Sequence, residues 1–271
     1  MPKHTATAAA TAVSPEFDSG PPSQFAALFA QTPDYSPFKT LFWFDWGPVF
    51  YRGRLDGSAK VLCIASDPGA TERIANRTLV GDAGQRVQGF LKKIGLTRSY
   101  TCLNAFAYAL IPSKAKDADV VLRASEHVTW RNRLYDLAKG VHVAAIIAFG
   151  GEAQQAVNLW TGKGNTPVLS LPHPSSRDPK KLIDAWRAAV VQLRPIVPPD
   201  GDGIPYPPNY GPQFLETDYE RIPARDLPFG VPTWLGDDAW LRKKSQNVEH
   251  SSVNRPKPDD RHTLIWKAPV I

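Results

Sequence analysis

Lys60-Val61-Leu62-Cys63-Ile64-Ala65-Ser66-Asp67-Pro68-Gly69 reads as a strand that runs into a turn. The apolar run is too short for a helix and too continuous for a strand with one wet face, so both faces are expected to be covered. Asp-Pro-Gly ends it, because proline cannot continue a ladder and glycine takes turn conformations freely. Similar segments follow at 100–104, 143–149 and 167–171. Between them the period changes to that of helices. Val87, Phe90, Leu91 and Ile94 recur at i, i+3, i+4 and i+7 behind Asp82 as N-cap. Trp130, Leu134 and Leu137 form a second stripe, Ala153 to Leu159 a third after Gly151, and Leu182, Trp186, Val190 and Leu193 a fourth. Strand and helix alternate, and right-handed crossovers make the strands parallel. The expected fold is an α/β three-layer sandwich: a central four-stranded parallel sheet with helices on both faces.

Working outward, residues 1–22 are rich in Ala, Thr, Ser and Pro without hydrophobic period and are expected to be a flexible segment. The α/β domain spans 23–197. From Pro195 onward lie 13 of the 26 prolines, which excludes regular helix or interior strand over most of that stretch. It also contains Tyr206, Tyr210, Phe214, Phe229, Trp234, Trp240 and Trp266, too much aromatic surface to leave in water. Residues 198–271 are therefore expected as an extension packed on the domain, with a partner-binding tail as the alternative. Its Arg242-Lys243-Lys244 reads as a solvated charge run.

Of the 271 residues, 42% are hydrophobic and 21% charged, a composition that excludes a wholly disordered chain. No apolar run approaches the 18 or so residues of a membrane span, and the alanine-rich start lacks the apolar segment of a signal peptide. A cytoplasmic, monomeric protein without membrane contact is expected. Lys and Arg number 32 against 26 Asp and Glu, a net charge of +6 that favours a polyanionic partner without requiring one. The two cysteines, Cys63 and Cys102, sit in apolar strand segments, and the six histidines show no HxxxH spacing. Neither a disulfide framework nor a metal site is expected.

In an open parallel sheet, ligands bind beyond the carboxyl ends of the strands. The first strand runs into Ser66-Asp67-Pro68-Gly69, the second into Asn104-Ala105-Phe106, and the fourth into His173-Pro174-Ser175-Ser176. An acid, an amide and an imidazole thus converge at one end of the sheet. Singly, each has an ordinary explanation as a turn, a cap or a loop dipeptide.

Together these residues resemble the uracil-DNA glycosylase superfamily over about residues 41–194. Ala65-Ser66-Asp67-Pro68-Gly69 resembles its first motif, written GQDPYH, GxNPG or GEAPG in different branches. Asn76-Arg77-Thr78-Leu79-Val80-Gly81-Asp82-Ala83-Gly84-Gln85 is similar to the FVGxAG or NRTGRxFTGD segment of the thermophile-type branches. Leu103-Asn104 resembles the strand that reads the uracil edge, Ala148-Phe149-Gly150 the end of the third strand, and His173-Pro174-Ser175 the HPS motif.

The resemblance implies a DNA repair enzyme that releases uracil from DNA without a cofactor. Asp67, or in second place Asp82, supplies the anion near the sugar cation or positions the attacking water. His173 donates to uracil O2, where negative charge develops. Asn104 offers an acceptor for N3–H and a donor for O4, an order that cytosine inverts. Ser66, Gly69, Leu79 and Phe106 are the further substrate-binding candidates. Because the nucleotide must be flipped out of a duplex, phosphate contacts are needed as well, and Arg73, Arg77, Ser175, Ser176 and Arg177 are the candidates.

Three departures qualify the pattern. Ser66 stands where the branches carry Gln or Glu. Leu79 stands where the thermophile-type branches place the Phe on which uracil stacks, so the aromatic wall must come from Phe106, Tyr108 or the cluster Phe44, Trp46, Phe50 and Tyr51. The iron-sulfur branch uses four cysteines, and this chain has two. The rival functions are a catalytically impaired member that binds uracil-containing or abasic DNA, and an unrelated α/β protein holding a small anion. The second is disfavoured by the absence of GxGxxG and GxxxxGK[ST].

Overall fold

A computed structural model describes residues 17–201 and 205–231, together with the backbone of a short strand pair at 253–254 and 265–266. In chain order the helices are α1 (Ser23–Phe29), α2 (Ala70–Ala75), α3 (Asp82–Lys93), α4 (Asp119–Arg123), α5 (Ser125–Lys139), α6 (Gly151–Asn158) and α7 (Pro179–Leu193). The strands are β1 (Phe42–Trp43), β2 (Tyr51–Gly53), β3 (Val61–Ala65), β4 (Tyr100–Asn104), β5 (Ala109–Leu110), β6 (Ala145–Phe149), β7 (Val168–Leu171), β8 (Val253–Asn254) and β9 (Ile265–Trp266).

The central sheet runs β2-β4-β3-β6-β7. Its four expected strands are parallel, pairing Val61 with Tyr100, Val61 with Ala145 and Ile146 with Val168. A fifth strand, β2, joins one edge antiparallel, with Arg52 opposite Cys102. Only the short run Val49-Phe50-Tyr51 leads into it, and Arg52 and Gly53 break the pattern. Arg52 at its centre is wholly buried because Asp226, far along the chain, meets its guanidinium at 3.0 Å.

Alternation along the central strands divides the interior in two. Leu62 and Ile64 face a core shared with α1, α5 and α6, whereas Val61, Cys63 and Ala65 face one built from α3 and α7. All four residues of the α3 stripe and all four of the α7 stripe are buried. Asp178 caps α7, accepting the Lys181 N–H at 2.9 Å, and Pro179 opens the helix where no hydrogen bond is lost. Asp82 is not the N-cap of α3 but its first helical residue, behind Gly81. Gly81 supplies the extended backbone of the cap position, and Glu72 Oε1 fixes the approach to the helix by accepting the Val80 and Gly81 N–H groups.

The described part of the proline-rich stretch lies against this domain, with Tyr210, Ile222 and Leu227 buried. Its acids are paired: Asp200 with Lys60, Asp218 with Lys93, and Asp226 with Arg52 and Arg54. Near the start of the chain, Asp18 pairs with Arg77 at 2.7 Å and donates its N–H to the Leu227 carbonyl. Residues 17–22, read from composition as part of a flexible segment, are thereby held to the fold. The side chains of Trp234, Trp240 and Trp266 and the Arg242-Lys243-Lys244 run lie outside the described residues.

Candidate active site

From β3 the chain steps outward to β4, then returns across β3 to β6 and β7, so strand order reverses beside β3. A crevice opens at such a reversal because the following loops turn to opposite sides. A cleft of about 400 Å³ lies there, lined by Ser66, Asp67 and Gly69 after β3, Leu110, Glu152 after β6, and His173 and Ser175 after β7. Trp43, Glu72, Arg73 and Leu79 form further parts of its wall.

The turn carrying Asp67 is fastened to the β4 side of the sheet. Ala105 and Phe106 donate their N–H groups to the Ala65 and Ser66 carbonyls at 2.8 and 3.0 Å. Asp67 Oδ2 accepts the Leu110 N–H at 2.9 Å. Burial pushes its carboxyl up to about 6, against the opposing pull of that N–H and of the Ser66 hydroxyl, and Glu152 adds to the rise.

His173 packs on Gly150, which has a φ of +89°, and a Cβ there would stand 3.1 Å from that of His173. Only glycine adopts that backbone cheaply, and only its bare Cα leaves room for the ring. Burial moves His173 below the ordinary imidazole range, with Glu152 opposing. Its Nδ1 accepts the Ser175 N–H at 3.1 Å. A ring nitrogen that accepts carries no proton, so neutral His173 bears its single N–H on Nε2.

Asn104 pairs in register with Ala65, which sets it beside the Ser66-Asp67 turn. It is 7% exposed and stands behind the turn instead of among the residues lining the cleft, and its Nδ2 has no hydrogen-bond partner. Buried donors without partners are rare.

Of the residues expected at the site, Ser66, Asp67, Gly69, Arg73, Leu79, His173 and Ser175 line one cleft. Leu79 does so from a left-handed backbone, φ +55°, that costs a leucine about 1–2 kcal/mol. Asp82 lies next to the lining residue Ala83, 3.8 Å from Arg86. Ser176 and Arg177 stand just beyond the lining residue Ser175, Arg177 exposed.

Two expectations are corrected. Phe106 is buried against Phe42, with ring centroids 5.5 Å apart, and is not part of the cleft wall. Arg77 is buried, held by Asp18 and lying over the Tyr51 ring, so its charge is committed inside the fold.

Sequence reasoning missed Trp43 and Glu152. Trp43 is the aromatic member of the cleft wall, held by β1 pairing with β5 and by the Arg73 guanidinium 5.2 Å from its ring. Glu152 follows β6 by three residues, so the rule that led to the other strand ends could have found it. Trp43 left no such signal, because β1 is two residues long and its partner comes much later in the chain.

The uracil DNA glycosylase superfamily model matches residues 52–192, a little over half of the chain. The chain belongs to the uracil DNA glycosylase superfamily. The match covers β3, β4, β6 and β7 and every strand-end loop that supplies the cleft, apart from the Trp43 strand. Superfamily membership brings a DNA repair function of the glycosylase type, with DNA as the bound partner. No curated protein matches the chain. The four-cysteine cluster of one uracil DNA glycosylase branch does not fit here, since Cys63 and Cys102 are buried and opposed in register within the sheet. Among the described residues no helix is long and apolar enough to cross a membrane.

Proposed function

We propose that this chain is a uracil-DNA glycosylase that hydrolyses the N-glycosidic bond of deoxyuridine in DNA, releasing uracil and leaving an abasic site. His173 supports this most directly. With Nδ1 occupied by the Ser175 N–H, a neutral ring has one proton to offer, on Nε2. Bond breaking leaves the electron pair on uracil, with negative charge at O2, and a preorganised donor there stabilises it without reorganising solvent.

Asp67 supplies the complementary charge. As an anion it stabilises the sugar cation, and as a base it takes the proton of the water that attacks C1′. A carboxyl held at about 6 is a better base near neutrality than an ordinary one. Asn104 Nδ2, lacking a protein partner, suits uracil O4, and its Oδ1 suits N3–H. Trp43 stands in for the aromatic wall that Leu79 cannot provide. Arg73 in the cleft wall and Ser175, Ser176 and Arg177 beside it are the phosphate contacts that remain once Arg77 is committed inside the fold. Water is the co-reactant, and the reaction requires no cofactor.

The test is an oligonucleotide with one deoxyuridine, incubated with wild type or His173→Ala and then treated with alkali to break abasic sites. Cutting by wild type alone is expected. Cutting by both would move the O2 donor away from His173. If neither cuts but wild type binds the uracil strand in preference to its thymine counterpart, the chain is a binder of uracil-containing DNA instead.

A further inference from the structure

Arg86 joins helix α3 and the C-terminal stretch to one loop of the cleft. It lies on α3, and its guanidinium stands between two rings of the C-terminal stretch, 5.2 Å from the Phe214 centroid and 5.1 Å from that of Tyr219. Its Nε donates to the Tyr219 hydroxyl at 2.7 Å, and its Nη1 donates to the Pro174 carbonyl at 2.7 Å. Pro174 stands between His173 and Ser175, and it is the Ser175 N–H that occupies His173 Nδ1. The loop is also held by the Ser176 N–H on the His173 carbonyl and by the Trp186 indole on the Pro172 carbonyl. Proline has no N–H, so the carbonyl taken by Arg86 is the only backbone hydrogen-bonding group Pro174 possesses.

The stretch carrying the two rings is itself seated on α3. Glu220 donates its N–H to the Gln85 carbonyl, Asp218 pairs with Lys93 at 2.8 Å, and Glu220 pairs with Lys92. A guanidinium has its donors at fixed angles in one plane, so fixing Nε on Tyr219 also aims Nη1. A lysine ammonium has no such second arm.

We propose that Arg86 is a positioning residue: clamped by Phe214 and Tyr219, it holds the 173–176 loop so that His173 presents one N–H, and the C-terminal stretch thereby becomes part of the apparatus of the cleft. Its consequence for rate rests on the glycosylase function proposed above; its consequence for His173 does not. Both named nitrogens of Arg86 are engaged within the protein, which separates it from a phosphate-binding arginine.

Three variants test this: Arg86→Lys, Tyr219→Phe and, as a control on the same stretch, Leu215→Ala. Single-turnover excision, the Kd for uracil-containing DNA and the ¹⁵N shifts of the His173 ring are measured for each. Arg86→Lys is expected to slow excision by about 10- to 100-fold, the scale on which misplacing a reacting group acts, with Kd unchanged. The ring nitrogens of His173 should then report both tautomers instead of one. Tyr219→Phe keeps the ring and leaves Asp82 beside Arg86, and it should give a smaller change of the same kind. Leu215→Ala, which trims a half-exposed side chain of the stretch, should resemble wild type.

A single, wild-type tautomer in Arg86→Lys would overturn the proposal, as would a loss confined to Kd, which would make Arg86 a phosphate contact. Should wild type release no uracil at all, the glycosylase reading fails, while the His173 shifts still decide whether Arg86 sets the tautomer.

Discussion

Asp67 and His173 are shifted in opposite directions by one cause: burial favours the neutral form of each, raising the acid and lowering the imidazole. Excision that needs ionised Asp67 and neutral His173 should rise with pH through about 6 and then stay level to pH 8, without a bell. A falling limb between pH 6 and 8 would mean that a protonated histidine acts, and would sink this assignment. The same shift has a sign for stability. Asp67 is held above its ordinary 3.8, so its contribution is fully present below about pH 4 and is lost as pH rises through about 6. Asp67→Asn keeps an acceptor for the Leu110 N–H, and it should melt above wild type at pH 8 with the gap closing towards pH 4, even though excision is largely gone. Trp43 belongs to the same scale. Stacking of a base on an aromatic ring is worth about 1–3 kcal/mol, so Trp43→Ala should weaken binding of uracil-containing DNA by about 5- to 150-fold, with Trp43→Phe recovering most of it. Asp67, Asn104 and His173 were legible because each follows an apolar run directly. Trp43 was not, since its place in the cleft depends on β1 finding β5.

Helix α3 and strand β2 show how far local pattern reaches. The α3 stripe of Val87, Phe90, Leu91 and Ile94 was visible in the sequence as a period and is buried as that period requires. Its other faces carry information that the period does not. A Cβ on Gly89 would stand 1.9 Å from the Asp218 carbonyl oxygen, so the glycine lets the C-terminal stretch lie directly on the helix. On propensity alone, Gly89→Ala should stabilise a helix interior by about 1 kcal/mol. Because backbone cannot yield as a side chain tip can, the variant should instead melt lower, with faster amide exchange at 214–220. A higher melting temperature would show that the stretch can move aside without cost. Strand β2 is the reverse case. Tyr51-Arg52-Gly53 has no strand signature, and β4 with Asp226 makes it a strand.

Across the whole molecule, the Arg52–Asp226 pair ties the sheet edge to the C-terminal stretch. Arg52 also donates to Gln88 and the Thr78 carbonyl, and Asp226 accepts from Tyr100 and Arg54. Removing one partner leaves a buried charge uncompensated, so Asp226→Ala should lower unfolding stability by about 3–5 kcal/mol in urea. Replacing both charges, as in Arg52→Met with Asp226→Leu, should return much of it. A double variant no better than the single one would show that the pair contributes through its attraction and not through avoided desolvation. Such links join residues far apart in the chain, and no window of sequence contains them. What could be read beforehand was set by neighbours along the chain: apolar runs that must be covered, turns that only Pro and Gly fit, and the side chains those turns present. The parallel sheet and the acid, amide and imidazole at its carboxyl end follow from these. The proton position on His173, the raised Asp67, the Trp43 wall, the commitment of Arg77 to Asp18 and the burial of Arg52 do not. Each depends on burial or on a partner supplied from elsewhere in the chain, and those arise only when the distant segments pack.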